Sequence, residues 1–280
     1  MTGSKMANTV AKAPSLFDLR IAPPPRTRLL VGISAVAVVL AFWFIATFGA
    51  IPEHRWISPV ILPSPVEVAK SFGPLWTERD LLDSIIATLR RVLAGFGLAI
   101  VVGVPVGIVA GSWRVLEAAV MPMALFARNI PVAALIPLTI LWFGIEETQK
   151  VMFIFIACVP FVYSDAVHAV TSVPDRYVET ATTLGASRSQ VIWKVLVPLA
   201  LPDIYKGLRS LFGLAFGYIM LAELINAQHG LGYLLSTSQR RGLSEHIILI
   251  LIVIACLAFG IDRFLGWVQR GLFPYRQDGD

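Results

Sequence analysis

Charged side chains are scarce in this chain of 280 residues. Asp, Glu, Lys and Arg together make up 15% of the sequence, whereas hydrophobic residues make up 56%. Soluble globular domains carry about 25% charged residues. The scarcity of charge therefore excludes an ordinary soluble fold and indicates a membrane protein, whose length is best counted in spans of about 20 apolar residues.

Cysteines and catalytic motifs are lacking as well. The two cysteines, Cys158 and Cys256, lie in apolar stretches, and the four histidines show no metal-binding spacing. A disulfide framework or a metal site needs spacings that are absent here. The sequence also contains no G-x-x-x-x-G-K-[ST] phosphate-binding loop, no H-E-x-x-H and no nucleophile elbow. Each of these motifs marks a known chemistry, so we expect no catalytic residue, metal or cofactor in this chain.

Long apolar segments are what the sequence has in abundance. Six are long enough to cross a bilayer as helices, and they cover residues 29–52, 92–113, 118–145, 148–171, 207–227 and 244–266. Polar residues interrupt the third segment at Arg128 and Asn129, and the fifth at Glu223. Such residues should face protein or water rather than lipid. The sequence therefore predicts an all-α membrane protein with six transmembrane helices.

Basic residues predict the orientation of these helices. Residues 1–28 are basic and rich in proline, which is typical of a flexible leader. The membrane domain then covers residues 29–270, and residues 271–280 form a tail. The leader, the tail and the loop at 172–206 belong to the segments of one side, which hold more Lys and Arg than those of the other side. Basic loops stay in the cytoplasm, so both termini are predicted to be cytoplasmic, and nothing calls for a nucleic-acid partner.

The loop at 172–206 interrupts the apolar chain with a polar stretch, "ETATTLGASRSQVIWKVLVP" at 179–198. Asp175 is predicted to cap a helix over 176–184, and Gly185 fits the position just after its end. Ser187 is then predicted to cap a second helix, with Gln190 as its capping-box partner. Prolines near residue 200 are expected to stop or kink that helix. The sequence thus predicts a helix, a sharp turn and a helix on the cytoplasmic side.

This loop resembles the EAA loop of ABC importer permeases. The family pattern is Glu-x-Ala, then Gly six residues after the Glu, then aliphatic-x-aliphatic-Pro, and Glu179, Ala181, Gly185 and residues 195–198 match it. The first Ala of the pattern is Thr180 here. Further stretches are similar to the permeases for nitrate, sulfonate, taurine and bicarbonate, so that the resemblance covers roughly residues 29–275. They read "LPSPVEV" (62–68), "RVLAGFGLAIVVGVPVGIVAG" (91–111), "IPVAALIPLTILWFGI" (130–145), "GLR" (207–209) and "AELINAQHGLGYLL" (222–235).

The resemblance implies a type I ABC importer permease (MetI-like) fold with a cytoplasmic coupling helix. It implies that the chain pairs with a second copy of itself or a closely related permease in the bacterial inner membrane. Two cytoplasmic ABC ATPase subunits would bind the ATP and Mg, and a periplasmic or lipid-anchored binding protein would deliver a small anionic solute. Residues at the coupling contact would be Glu179, Thr180, Ala181, Gly185, Ala186 and Ser187.

Four polar residues are candidates for the translocation path: Arg128, Asn129, Glu223 and Asn226. Arg128 could attract an anion, or it could pair with a structural neighbour. Glu223 and Asn226 could form a gate, or they could be polar contacts between packed helices. A different function also stays open at this point, namely an ion-coupled secondary transporter or channel that needs no ATPase.

Overall fold

The computed structural model describes residues 24–49, 57–225 and 227–274, and every regular element in these ranges is a helix. The leader up to residue 23 and the candidate Asn226 lie outside the described residues. The chain divides into two compact units, Met1–Pro65 and Val66–Asp280. The helices are α1 (Pro25–Ala46), α2 (Pro65–Lys70), α3 (Phe72–Thr77), α4 (Leu81–Ser112), α5 (Arg114–Arg128), α6 (Leu135–Phe143), α7 (Glu147–Thr171), α8 (Asp175–Thr183), α9 (Arg188–Val191), α10 (Val197–Glu223), α11 (Leu231–Arg240) and α12 (Ser244–Leu272).

Four of these helices are long and apolar enough to cross a membrane, namely α4, α7, α12 and the part of α1 from Arg26 to Ala46. A fifth span exists if the bent pair α5–α6 counts as one. The sixth predicted span corresponds to α10, which is long enough with 27 residues. Its composition is less apolar than that of the four spanning helices, because it carries four charged residues, Asp203, Lys206, Arg209 and Glu223. The all-helical architecture is as predicted, and the count of six depends on α10.

The third predicted span, residues 118–145, is not one helix. It breaks after Arg128, continues through a short 3₁₀ turn at Val132–Ala134 and resumes as α6, with a bend of 87°. Pro131 explains the break, because proline has no N–H to donate and pushes the preceding residue out of the helical conformation. Arg128 therefore ends helix α5, at the break within the third predicted span.

The prolines near residue 200 were predicted to stop or kink the helix, and the structure shows that they do not stop it. A π-helical segment, Ile192–Leu196, follows α9 directly and leads into α10, whose second residue is Pro198 and whose interior contains Pro202. Local π geometry can re-satisfy the backbone groups that a proline leaves free. One helical path therefore runs from Arg188 to Glu223.

Helices α4 and α7 pack with their backbones in direct contact. Four glycines of α4 face α7, namely Gly95, Gly103, Gly107 and Gly111. A Cβ added at Gly107 would lie 2.6 Å from the Cβ of Ala166 and 2.8 Å from the backbone oxygen of Tyr163. Small residues permit this approach between apolar helices, so the α4–α7 pair is the framework that positions both ends of the helical bundle.

Candidate functional site: the coupling loop and its surroundings

The first helix of the loop at 172–206 is α8. Its N-cap is Pro174, which has an extended conformation, and Asp175 is the first helical residue. The prediction of Asp175 as the cap was therefore wrong by one position, because Pro174 holds the non-helical conformation that a cap requires. The acidic side chain still lies in the first turn, where it is favourable next to the positive end of the helix.

Gly185 forms the predicted turn after α8. Its φ is +82°, a left-handed conformation that glycine adopts without strain. The N–H of Gly185 donates to the oxygen of Thr182 at 2.9 Å, and the N–H of Ala186 donates to the oxygen of Ala181 at 3.0 Å. This pair of bonds is a Schellman motif, which ends a helix and fixes the direction of the chain that leaves it.

Ser187 starts the second helix as predicted. The N–H of Gln190 donates to Ser187 Oγ at 3.4 Å, and the N–H of Ser187 donates to Gln190 Oε1 at 2.8 Å. These two bonds form a capping box. Because α9 continues into α10 without a break, the turn at Gly185 aims a helix that runs through to Glu223.

The loop is anchored at its two roots and exposed at its tip. Val173 and Ile192 are buried with Ile108, Val170 and Ala200 in one hydrophobic cluster. The tip carries Leu184, whose side chain is 82% exposed, and Glu179 and Thr180 on the same short helix are exposed as well. Tyr177 and Trp193 are further exposed aromatic side chains of this loop. A buried base and an exposed tip are what a docking element needs.

Two of the path candidates, Arg128 and Asn129, lie at the break between α5 and α6. Arg128 is half-buried, and its guanidinium lies 4.7 Å from the ring centre of Phe161 on α7. Asp165, one turn further along α7, is close enough to attract it electrostatically. Asn129 is exposed, and its side-chain amide donates to the oxygen of Leu125 at 2.7 Å.

Glu223 has a different environment from Arg128. It is 0% exposed and lies at the end of α10 that is opposite to the coupling loop. Its carboxylate accepts hydrogen bonds from Arg91 at 2.7 Å and from the backbone N–H of Gly232 at 2.9 Å. This geometry favours the alternative of a polar contact between packed helices.

Sequence reasoning missed Arg91, which is 3% exposed. It lies immediately before the second apolar segment and looked like a flanking surface charge. In the structure its Nε and Nη2 donate to the two oxygens of Glu147, each at 2.6 Å. Only the spacing of three residues between Thr88 and Arg91, which places both on one helical face, hinted at a shared site.

The chain is similar in sequence to known proteins over most of its length. Residues 103–274 match the family described as "Binding-protein-dependent transport system inner membrane component". The taurine transport system permease protein TauC of Escherichia coli is 33% identical over 90% of this chain and 92% of TauC. The nitrate import permease protein NrtB of Synechocystis sp. is 31% identical over 87% of this chain and 89% of NrtB. The bicarbonate transport system permease protein CmpB of Synechococcus elongatus is 32% identical over 69% of this chain and 70% of CmpB.

Solved structures resemble the fold. The MetNI methionine ABC transporter in inward-facing conformations superposes with a TM-score of 0.62 at 21% identity, over 68% of this chain and 95% of the matched chain. An amino acid ABC transporter crystallised with histidines gives a TM-score of 0.56 at 19% identity, over 75% of this chain and 97% of the matched chain. At these identities the likeness concerns the fold alone.

Proposed function

The chain belongs to the family of inner membrane components of binding-protein-dependent transport systems, and from this premise we propose that it forms the path for a small anionic solute in an ATP-driven importer. The family resemblance predicted from the EAA loop is confirmed, and so is the MetI-like permease fold. The chain is the membrane-spanning permease subunit of an ABC importer, and ATP hydrolysis is the task of a separate subunit. The alternative of a secondary transporter loses its support with this assignment.

The observation that carries the coupling proposal is the geometry of the loop. Its tip is exposed, its roots are buried, and the turn at Gly185 is fixed by two backbone hydrogen bonds. We infer that Glu179, Thr180 and Ala181, together with the turn residues Gly185, Ala186 and Ser187, dock against an ATPase subunit. Motion of the docked loop would then reach α10 directly, because α9 and α10 form one continuous helical path.

The class of solute is proposed from the relatives and from the break at Arg128. Relatives are named for taurine, nitrate and bicarbonate, and each of these compounds carries an anionic group. Arg128 lies half-buried at the one sharply bent helix pair of the described chain, with Asn129 exposed beside it. A cation at a helix break can attract an anion into a water-filled path, so we propose that Arg128 and Asn129 face this path.

The partners follow from the same proposal. Two copies of this chain, or this chain and a close relative, would surround one path, and each copy would dock one ATPase subunit. ATP and Mg would bind only to the ATPases. A periplasmic or lipid-anchored binding protein would deliver the solute from the outer side.

Co-purification tests the proposed assembly. The affinity-tagged chain, expressed with an ABC ATPase and a binding protein from the same organism, should elute with the ATPase in a 1:1 ratio of subunits. A tagged chain that transports solute in proteoliposomes while no ATPase is present would overturn the proposal.

The orientation is proposed from the basic residues, with both termini and the coupling loop in the cytoplasm. Exposed Ser189 on the coupling loop and exposed Thr77 at the end of α3 are suitable for cysteine labelling. In intact cells, an impermeant maleimide should label Thr77→Cys and leave Ser189→Cys unlabelled, in a background with Cys256→Ser. Labelling of Ser189→Cys from outside would show that the orientation is reversed.

A further inference from the structure

A cluster of charged side chains, most of them buried, joins four helices at the end of the bundle opposite to the coupling loop. Glu147 is its half-exposed member. Arg91 of α4 forms four hydrogen bonds, because its Nη1 donates to Glu223 of α10 and to the backbone oxygen of His229, each at 2.7 Å, in addition to the two bonds to Glu147 of α7. Lys150 of α7, also buried, approaches Glu147 within 3.9 Å. The exposed Arg90 side chain lies 3.9 Å from Glu147 as well, so that three cations oppose two carboxylates.

Thr88 connects this cluster to the beginning of α11. Its hydroxyl donates to the Glu223 carboxylate at 2.9 Å and accepts the N–H of Leu231 at 3.0 Å. The first N–H groups of a helix have no partners within that helix, and the N-cap of α11 is Gly230, which has no side chain to supply one. Side chains of α4 and α10 therefore take over the capping of α11.

Glycines permit the close approach of this segment. A Cβ at Gly230 would lie 2.5 Å from the carboxylate of Glu223 and 2.7 Å from Nη1 of Arg91. Gly230 also has a φ of +131°, so any other residue there would be strained as well as obstructed. The turn at 227–230 thus lies directly on the charged cluster, with His229 and Gly230 in contact with it.

The charged groups of the cluster are already hydrogen-bonded within the protein, which argues against a role as a transport site. Each oxygen of Glu147 and Glu223 accepts at least one hydrogen bond within the protein. Arg91 is engaged at all three of its nitrogens and is hardly exposed, so it has little capacity left to bind an anion in transit. Arg91 and Glu223 are both buried, and buried charges are costly to separate once they are paired, so this cost opposes repeated opening.

We propose that Thr88, Arg91, Glu147 and Glu223, which we call the outer clamp, stay bonded through the whole transport cycle and act as positioning residues. They hold the turn at 227–230 in a fixed place against α4 and α10. Movement that enters α10 from the coupling loop then reaches this turn and the α4–α7 pair as one rigid unit. This role in the cycle rests on the proposed function, whereas the seating of the turn does not.

A buried position next to the clamp offers a direct readout. Ala227 is 8% exposed, so a cysteine there reports whether the turn stays seated. The substitution Ala227→Cys is made in the full chain with Cys256→Ser, in the assembled transporter in proteoliposomes, and its rate of reaction with a maleimide is measured without nucleotide and after trapping with ATP and vanadate. We expect slow labelling at rates within about twofold of each other in the two states.

Two substitutions at Thr88 separate the hydroxyl from the shape of the side chain. Thr88→Val keeps the shape and removes the hydroxyl, whereas Thr88→Ser keeps the hydroxyl. In the Ala227→Cys background, Thr88→Val should raise the labelling rate of the introduced thiol by about fivefold or more through local opening of the turn, and it should lower uptake per ATP hydrolysed at an unchanged amount of assembled transporter. Thr88→Ser should restore both values. Glu223→Gln, which removes the charge but keeps the acceptor, serves if Thr88→Val fails to assemble. Arg241→Gln is the control, since Arg241 is exposed at the end of α11.

Two results would overturn the proposal. Faster labelling of Ala227→Cys in one nucleotide state, with the clamp residues unchanged, would show a latch that opens in each cycle. Identical labelling and uptake in Thr88→Val and Thr88→Ser would show that the clamp does not position the turn. Failure of the ATPase to bind would contradict the proposed function instead, and the labelling of the Thr88 variants in membranes would still decide whether the clamp seats the turn.

Discussion

Replacing Gly185 by valine should leave a folded, membrane-inserted permease that no longer links ATP hydrolysis to uptake. At a φ of +82°, a β-branched residue strains the turn by about 1–3 kcal/mol. A free energy of this size shifts an equilibrium by about 5- to 150-fold. The strain falls on the Schellman turn that aims α9, so the loop should lose its docked geometry while the spans, which pack elsewhere, stay intact.

Asparagine at the same position is the matched control. A Cβ at Gly185 has no neighbouring atom within 4 Å, so neither substitution causes a clash and the two differ mainly in backbone strain. Asparagine tolerates the left-handed conformation far better than valine does. Uptake per ATP hydrolysed should therefore be low in Gly185→Val and close to normal in Gly185→Asn. Glu179→Ala should have a weaker effect than Gly185→Val, since it removes one contact and leaves the turn unchanged. Normal uptake per ATP in Gly185→Val would mean that the loop is merely a connector.

Replacing Gly107 by valine should destabilise the membrane domain and reduce its assembly. The first added carbon would meet the Cβ of Ala166 at 2.6 Å and the backbone oxygen of Tyr163 at 2.8 Å. A backbone atom cannot turn aside as a flexible side chain can, so α4 and α7 would have to separate. Overpacking of this kind costs about 1–3 kcal/mol or more, and each kcal/mol lowers Tm by roughly 2–4 °C in chains of 150–250 residues.

Gly97 provides the control for this change, because it lies on the same helix with no atom within 4 Å of an added Cβ. Gly97→Val and Gly107→Val have the same effect on helix propensity and differ in the contact that they enter. Detergent-solubilised Gly107→Val should melt several degrees lower and give a smaller fraction of assembled transporter on size exclusion than Gly97→Val. Equal melting temperatures and equal yields would show that α4 and α7 are not in tight contact at Gly107.

Local features of the coupling loop were predictable from the sequence, because their causes lie within a few residues. The turn at Gly185 and the capping box of Ser187 and Gln190 depend on bonds that span at most five residues. The predicted cap of α8 was wrong by one position, since both Pro174 and Asp175 suit a helix start. The sequence left open whether Pro198 and Pro202 stop or kink the helix, because the compensating π segment has no sequence signal of its own.

The outer clamp could not be predicted for a different reason. Arg91 and Glu223 are 132 residues apart in sequence, and Thr88 and Leu231 are 143 residues apart. Each residue alone looks like an ordinary charge or hydroxyl at the edge of an apolar segment. Their meeting depends on the glycine contacts of α4 with α7 and of Gly230 with Glu223, which become visible only when the helices are packed.

Uptake into proteoliposomes tests most directly whether this chain is the permease of an ATP-driven importer. The chain is reconstituted with its ATPase and its binding protein, and uptake of radiolabelled taurine, bicarbonate and nitrate is measured with and without ATP at the ATPase side. We predict uptake of at least one of these solutes that requires ATP, the ATPase and the binding protein together. Uptake by the chain alone, driven by an ion gradient and unaffected by ATP, would contradict the account.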